Sequence, residues 1–126
     1  MIETDLEFRI GDTYERNFTI SKYSDDIDEM YFSIKKNDDD KRVLLQKTLE
    51  NGITIVTDDT IDGVRYRTYQ LFIDANDTEN MKTGVDYPFD IEIVTDKDET
   101  KLKKTIIKGN VILNAATTRL WNEVSE

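Results

Sequence analysis

Apolar residues recur at every second position along most of this chain, and that period constrains its fold more than any other feature. Leu6, Phe8 and Ile10 alternate with Glu7 and Arg9. Phe18 and Ile20 alternate with Asn17 and Thr19, and Met30, Phe32 and Ile34 with Tyr31, Ser33 and Lys35. Tyr69, Leu71 and Ile73 give a further inward face, and Tyr87, Phe89, Ile91 and Ile93 the cleanest one, set against Asp90 and Glu92. Ile107, Gly109, Val111 and Leu113 complete the series. Side chains alternate across a strand, so each of these stretches predicts a half-buried strand.

Turn chemistry separates the strands. Gly11-Asp12 ends the first, and Asn51-Gly52 and Asp62-Gly63 are hairpin signals because such pairs accept positive φ. Val43–Leu49 is ambiguous: Val43 and Leu45 suit one face and Leu44 the other, so its register is weakly specified. Asp74–Thr83 is polar and suits one helical turn, with Met81 inward and Gly84 closing the segment. Pro88 fits the start of a strand but not a central ladder position. Gly109 marks a bulge or a close backbone approach. Seven or eight such strands, with turns about every ten residues and no long helix, predict an all-β antiparallel sandwich or barrel. The tail changes character: Leu120, Trp121 and Val124 suit a short helix that is too short to be stable alone. These three residues are therefore the candidate docking residues.

Composition narrows the chemistry. The 126 residues fit one domain. There is no cysteine, hence no disulfide or thiolate, and no histidine, the commonest general base and transition-metal ligand. The net charge of −10 argues against nucleic acid or an anionic membrane as partner. Lys101, Lys103 and Lys104 form the one basic concentration. No stretch has the apolar length of a membrane span, and Met1–Asp5 is not a signal peptide.

Each chemical candidate has a simpler reading beside it. Asp38-Asp39-Asp40 lacks the spacing and turn glycine of a calcium loop and reads as a solvated loop, as do Asp25-Asp26-Asp28 and Asp96 with Asp98. Asp90 and Glu92 share a strand face roughly 7 Å apart, a spacing that suits an acid/base pair and equally any outward acidic face. Tyr14, Tyr23, Tyr31, Tyr66, Tyr69 and Tyr87, with Trp121, offer stacking platforms for sugars or are simply good strand residues. The serines have no histidine to activate them. No catalytic, cofactor-binding or metal-ligating residue is assigned. Outward acids such as Glu7, Asp90 and Glu92 are expected to resist casual edge pairing.

The order of these segments resembles a known module. Phe8-Arg9-Ile10-Gly11-Asp12 opens it, and Tyr31-Phe32-Ser33-Ile34-Lys35-Lys36-Asn37 follows. Next come Leu45-Gln46-Lys47-Thr48 and Ile53-Thr54-Ile55. Gly84 then leads into Tyr87-Pro88-Phe89-Asp90-Ile91-Glu92-Ile93. Thr105-Ile106-Ile107-Lys108-Gly109-Asn110-Val111 closes the core, and Thr118-Arg119 ends it. From Leu6 to Arg119 the chain is similar to the immunoglobulin-like domain of upper baseplate proteins and related small structural proteins of tailed phages and prophages of Gram-positive bacteria.

The resemblance implies an antiparallel immunoglobulin-like β-sandwich of seven or eight strands with a short C-terminal helix or tail. The sandwich would span residues 1–119 and the tail 120–126. It implies a non-enzymatic virion component associated with tail or baseplate, assembled in the host bacterial cytoplasm. No cofactor is implied, and the partners would be other phage structural proteins and further copies of the same chain. The alternative is a carbohydrate-binding β-sandwich module.

Overall fold

A computed structural model describes residues 1–23, 26–37, 42–97 and 100–115. The strands are β1 (Ile2–Glu3), β2 (Leu6–Arg9), β3 (Tyr14–Ile20), β4 (Ile27–Lys35) and β5 (Val43–Leu49). After them come β6 (Gly52–Ile61), β7 (Val64–Ile73), β8 (Asp86–Lys97) and β9 (Thr100–Asn114). A 3₁₀ turn at Ala75–Thr78 precedes β8, where the polar composition predicts one helical turn. The acidic loop around Asp38-Asp39-Asp40, Asp25, Asp98 and the tail with Leu120, Trp121 and Val124 lie outside the described residues.

The strands join in one mixed sheet of order β1-β9-β8-β4-β5-β6-β7-β3, with β2 also on β9. It curls so that the inward faces of β3, β6 and β7 enter the same core as those of β4, β8 and β9. Met30, Phe32 and Ile34 meet Phe89, Ile91 and Ile93, with Phe32 and Phe89 rings 5.5 Å apart. Tyr69, Leu71, Ile73 and Ile53 approach from the other side. Each such side chain contributes roughly 1.5–3 kcal/mol through the water it leaves. The inward residues anticipated from alternation in β2, β4, β7, β8 and β9 are the ones buried, Gly109 and Ile10 being intermediate.

The pairing departs from an all-antiparallel pattern of seven or eight strands. β1 and β2 run parallel to β9 in one register, Ile2 opposite Ile107 and Leu6 opposite Val111. They are one edge strand interrupted at Thr4-Asp5, and counted so the nine strands among the described residues become eight. Gly109 explains the interruption: a Cβ there would lie 1.6 Å from the Thr4 carbonyl oxygen. Glycine alone admits that approach, and the Asn110 N–H donates to Asp5 Oδ1 at 3.0 Å where the ladder is broken. A two-residue strand paired only to a distant segment has no local signature in the sequence.

Asn51-Gly52 is a second departure, because it does not form the expected hairpin. β5 and β6 touch in parallel at two positions, Thr48 with Gly52 and Leu49 with Ile53. The chain turns a corner and continues from one layer of the curled sheet to the other. A tight hairpin of this kind needs positive φ at both central residues. Here positive φ falls on Glu50 and Gly52, flanking Asn51. Asp62-Gly63 does meet the requirement, at φ 53° and 79°, and closes the β6–β7 hairpin as expected.

Pro88 sits where its missing N–H is tolerated. It pairs with Asn110 of β9, and the β4 ladder starts one residue later at Ile34 and Phe89. The Tyr87 hydroxyl accepts a hydrogen bond from the Lys82 N–H at 2.8 Å, pinning the loop that leads into β8. The Thr78 hydroxyl, fully buried, accepts from the Gly11 N–H at 3.1 Å and ties the β2–β3 turn to the 3₁₀ turn.

Candidate interaction surface

Strand β6 has one ladder partner along most of its length. It pairs with β7 from Ile53 to Ile61, and its other edge meets β5 only at the corner. From Thr54 onward that edge offers backbone N–H and C=O groups with no strand beside them among the described residues, the arrangement that templates strand addition. Its side chains match: Ile55 is 50% exposed, Val56 49% and Ile61 59%. Val64 and Tyr66 are exposed across the hairpin, and Val43 and Leu44 are exposed at the start of β5. Val56 is the extra residue of a bulge between Ile55 and Thr57, so the edge bends there.

The other edges are dressed differently. β3 presents Glu15, Arg16, Asn17 and Thr19, and the β1–β2 edge presents Glu3, Asp5, Glu7 and Arg9 beside one exposed apolar residue, Ile2. Asp90 and Glu92 do not guard an edge, because β8 lies inside the sheet between β4 and β9.

The hairpin is stiffened by charge on one face. Asp58 accepts from Arg65 Nε at 2.8 Å and from Arg65 Nη2 at 2.6 Å, and Arg67 Nη2 approaches at 3.3 Å. The bidentate Arg65 bond, aided by Arg67, holds the Asp58 carboxyl well below its usual range, at about 2. At the corner, Lys47 passes over Gly52 and reaches Asp77 of the 3₁₀ turn at 2.7 Å.

The remaining candidates separate. Asp90 and Glu92 are half-buried on the outward face, Asp90 in register with Ser33 and Lys108, Glu92 with Tyr31 and Thr105. A polar groove of about 850 Å³ runs beside Asp90, bordered by Lys35, Lys108, Glu3 and Asp5. Burial, then Glu29 and Glu92, pushes the Tyr31 phenol up. Among the described residues no group of three or more Asp or Glu side chains is placed to hold a metal ion.

The tyrosines do not form one platform. Tyr69 and Tyr87 are buried, Tyr14 stacks on Phe8 with ring centres 4.3 Å apart, and Tyr66 is exposed opposite Asp59 in the β6–β7 hairpin. Tyr23 lies under two ammonium groups, Lys22 at 5.1 Å and Lys104 at 5.0 Å from the ring centre.

No protein-family model matches the chain, and no curated protein does. Among solved structures the chain is similar to one from a photo-crosslinking study of multimeric cell-adhesive interactions of VGSC beta subunits. That match has 13% identity and a TM-score of 0.37, covering 89% of this chain and 93% of that one. It is also similar to AggA, the major subunit of aggregative adherence fimbriae type I from Escherichia coli. There the identity is 10% and the TM-score 0.32, covering 85% of this chain and 89% of that one. Neither likeness bears on function.

Proposed function

We propose that this domain is a non-catalytic interaction module of immunoglobulin-like topology, and that it serves as a tail- or baseplate-associated component of a phage particle. One observation carries the interaction reading: among the described residues the first half of the β6 edge, Thr54 to Thr57, is open and uncharged, with Ile55 and Val56 half exposed, and charge appears only at Asp58 and Asp59 near the hairpin turn. A monomer that kept all its edges to itself would have reason to charge that uncharged half too.

The strand order supports the immunoglobulin-like reading. β3, β7 and β6 correspond to one sheet of such a sandwich, and β5, β4, β8 and β9 to the other, with the first strand crossing to the last. Tyr87, at the start of β8 with its hydroxyl bonded to upstream backbone, matches the tyrosine corner of that fold. The phage reading rests on the ordered resemblance from Leu6 to Arg119. It would place the protein in the virion, after assembly in the host bacterial cytoplasm, with other phage structural proteins and further copies of itself as neighbours.

Two experiments test these separately. Light scattering across a concentration series should show self-association, and a strict monomer at every concentration would remove the homo-oligomer. Mass spectrometry of purified particles should find the chain at a fixed ratio to tail proteins. Its absence from particles would remove the virion role and leave the interaction module standing.

A further inference from the structure

The mouth of the core between the end of β3 and the middle of β9 holds a second concavity, of about 450 Å³. Its lining combines the hydroxyls of Thr19, Ser21 and Thr105 with apolar surface from Ile2 and Ile106. Lys22, Tyr23 and Lys104 stand at its rim. Among the described residues no Asp or Glu lines it, in a chain with 27 acidic residues against 17 basic ones.

The two lysines have converged rather than spread. Lys104 is in register with the fully buried Ile93, so it projects from the inward face of β9 just past the core. Its ammonium donates to the Tyr23 hydroxyl at 3.0 Å and lies over the ring, and Lys22 lies over the same ring. Neither lysine forms an ion pair with a carboxylate among the described residues. Lys101, by contrast, has Asp28 at 3.6 Å. Like charges drawn to one hydroxyl repel each other, and an anion between them would reverse that cost.

Tyr23 itself adopts φ 68°, a left-handed conformation that a bulky residue takes only when its surroundings impose it. The Asp26 N–H donates to its carbonyl at 2.9 Å and holds it there. Hydrogen bonding from Lys104, then from Lys22, lowers the phenol below its ordinary pKa of 10.0.

We propose that this concavity is a binding site for a carboxylate carried on a short aliphatic stem, the anion between Lys22, Lys104 and the Tyr23 hydroxyl and the stem against Ile2 and Ile106. It does not depend on the β6 edge, which lies in another part of the sheet. The chemistry is shared by a free small organic acid and by a Glu side chain of a partner protein.

The test is a titration of the isotope-labelled full chain, followed by amide resonances. Hexanoate should give saturable shifts centred on Lys22, Tyr23 and Lys104, with a dissociation constant on the order of 1 mM. Hexanol, which keeps the stem, and hexylammonium, which reverses the charge, should not. Lys104→Ala and Lys22→Ala should each weaken hexanoate binding roughly three- to fivefold, as expected for a partly solvated charge. Lys103→Ala, on the opposite face of β9, should leave it unchanged. An acetylated Ile-Glu-Ile amide that binds more tightly than hexanoate would identify a protein source, and weaker binding a free acid. The proposal is overturned if hexanol and hexanoate act alike, or if Lys103→Ala and Lys104→Ala have equal effects.

Discussion

Strands β3 and β6 flank the same strand, β7, and treat it in opposite ways. β3 pairs from Tyr14 with Ile73 to Ile20 with Arg67, and shows solvent a run of charged and amide side chains. β6 pairs from Ile53 to Ile61, buries only Ile53 fully, and shows solvent Ile55, Val56 and Ile61. Both contribute apolar residues, but they spend them differently. In β3, Phe18 stacks on Tyr69 at 5.7 Å and Ile20 is buried, so its apolar residues hold the fold. In β6 only Ile53 is buried, and Ile55, Val56 and Ile61 leave about half of their surface to solvent. A strand whose apolar residues serve the fold can be charged along its edge, whereas β6 leaves Thr54 to Thr57 uncharged and confines its acids to Asp58 and Asp59.

The sharpest test of that division is Ile53→Ala against Ile55→Ala. Ile53 is sealed against Leu71, and its truncation should cost about 2–5 kcal/mol in urea unfolding. Ile55 is two residues on and half exposed, and its truncation should cost about 1 kcal/mol or less. Equal costs would mean that β6 is built for the core throughout, and the contrast with β3 would fail.

The corner that delivers β6 to its place comes next. Gly52 has φ 100°, and a Cβ there would lie 2.4 Å from Lys47 Cδ. Gly52→Ala should destabilise by about 1–3 kcal/mol, combining backbone strain with the displaced lysine. Adding Lys47→Ala to Gly52→Ala should recover part of the loss by removing the clash, and the part left would be strain. No recovery would show that the lysine was never in the way.

How legible these regions are in the sequence follows from the same physics. β4 and β8 lie inside the sheet, and their inward faces, Met30-Phe32-Ile34 and Phe89-Ile91-Ile93, alternate as cleanly in sequence as in burial. Asp62-Gly63 could be assigned because the turn type depends on those two residues alone. Asn51-Gly52 could not, because the same pair is compatible with a corner, and long-range pairing of β6 with β7 decides between them. The parallel β1–β2 edge was invisible for the same reason: its partner lies more than a hundred residues away.

The candidate surface was half legible. Val43–Leu49 carried an ambiguous pattern, and β5 is indeed a strand without a fully buried residue. The uncharged run Ile53-Thr54-Ile55-Val56-Thr57 was readable as a strand, but its lack of edge protection has meaning only once the topology makes it an edge. Tyr23 and Lys104 could not be joined from sequence, since 81 positions separate them.

A charge swap tests the edge directly. Val56→Lys with Ile61→Lys should leave stability within about 0.5 kcal/mol of wild type, both side chains being exposed. It should also lower self-association by roughly tenfold or more in light scattering, since charge on an edge strand opposes pairing. The mirror variant, Glu15→Val with Asn17→Val, should give β3 some of the stickiness that β6 has. If the lysines change nothing and the valines change nothing, association does not run through strand edges.

The smallest effect belongs to Asp58, which stiffens the β6–β7 hairpin without touching the core. Its folded-state pKa, about 2, lies below the ordinary 3.8 because Arg65, and secondarily Arg67, bind the ionised form. The linkage therefore runs one way: the contribution is fully present above about 3.8 and is lost as pH falls toward about 2. Asp58→Asn should lower the thermal midpoint slightly at pH 7, and the difference from wild type should shrink through that acid window. The effect should be small, because the pair is partly exposed to solvent and salt. If wild type and variant instead diverge as the pH falls, the arginines are not what holds this carboxylate, and the hairpin owes its order to the Asp62-Gly63 turn.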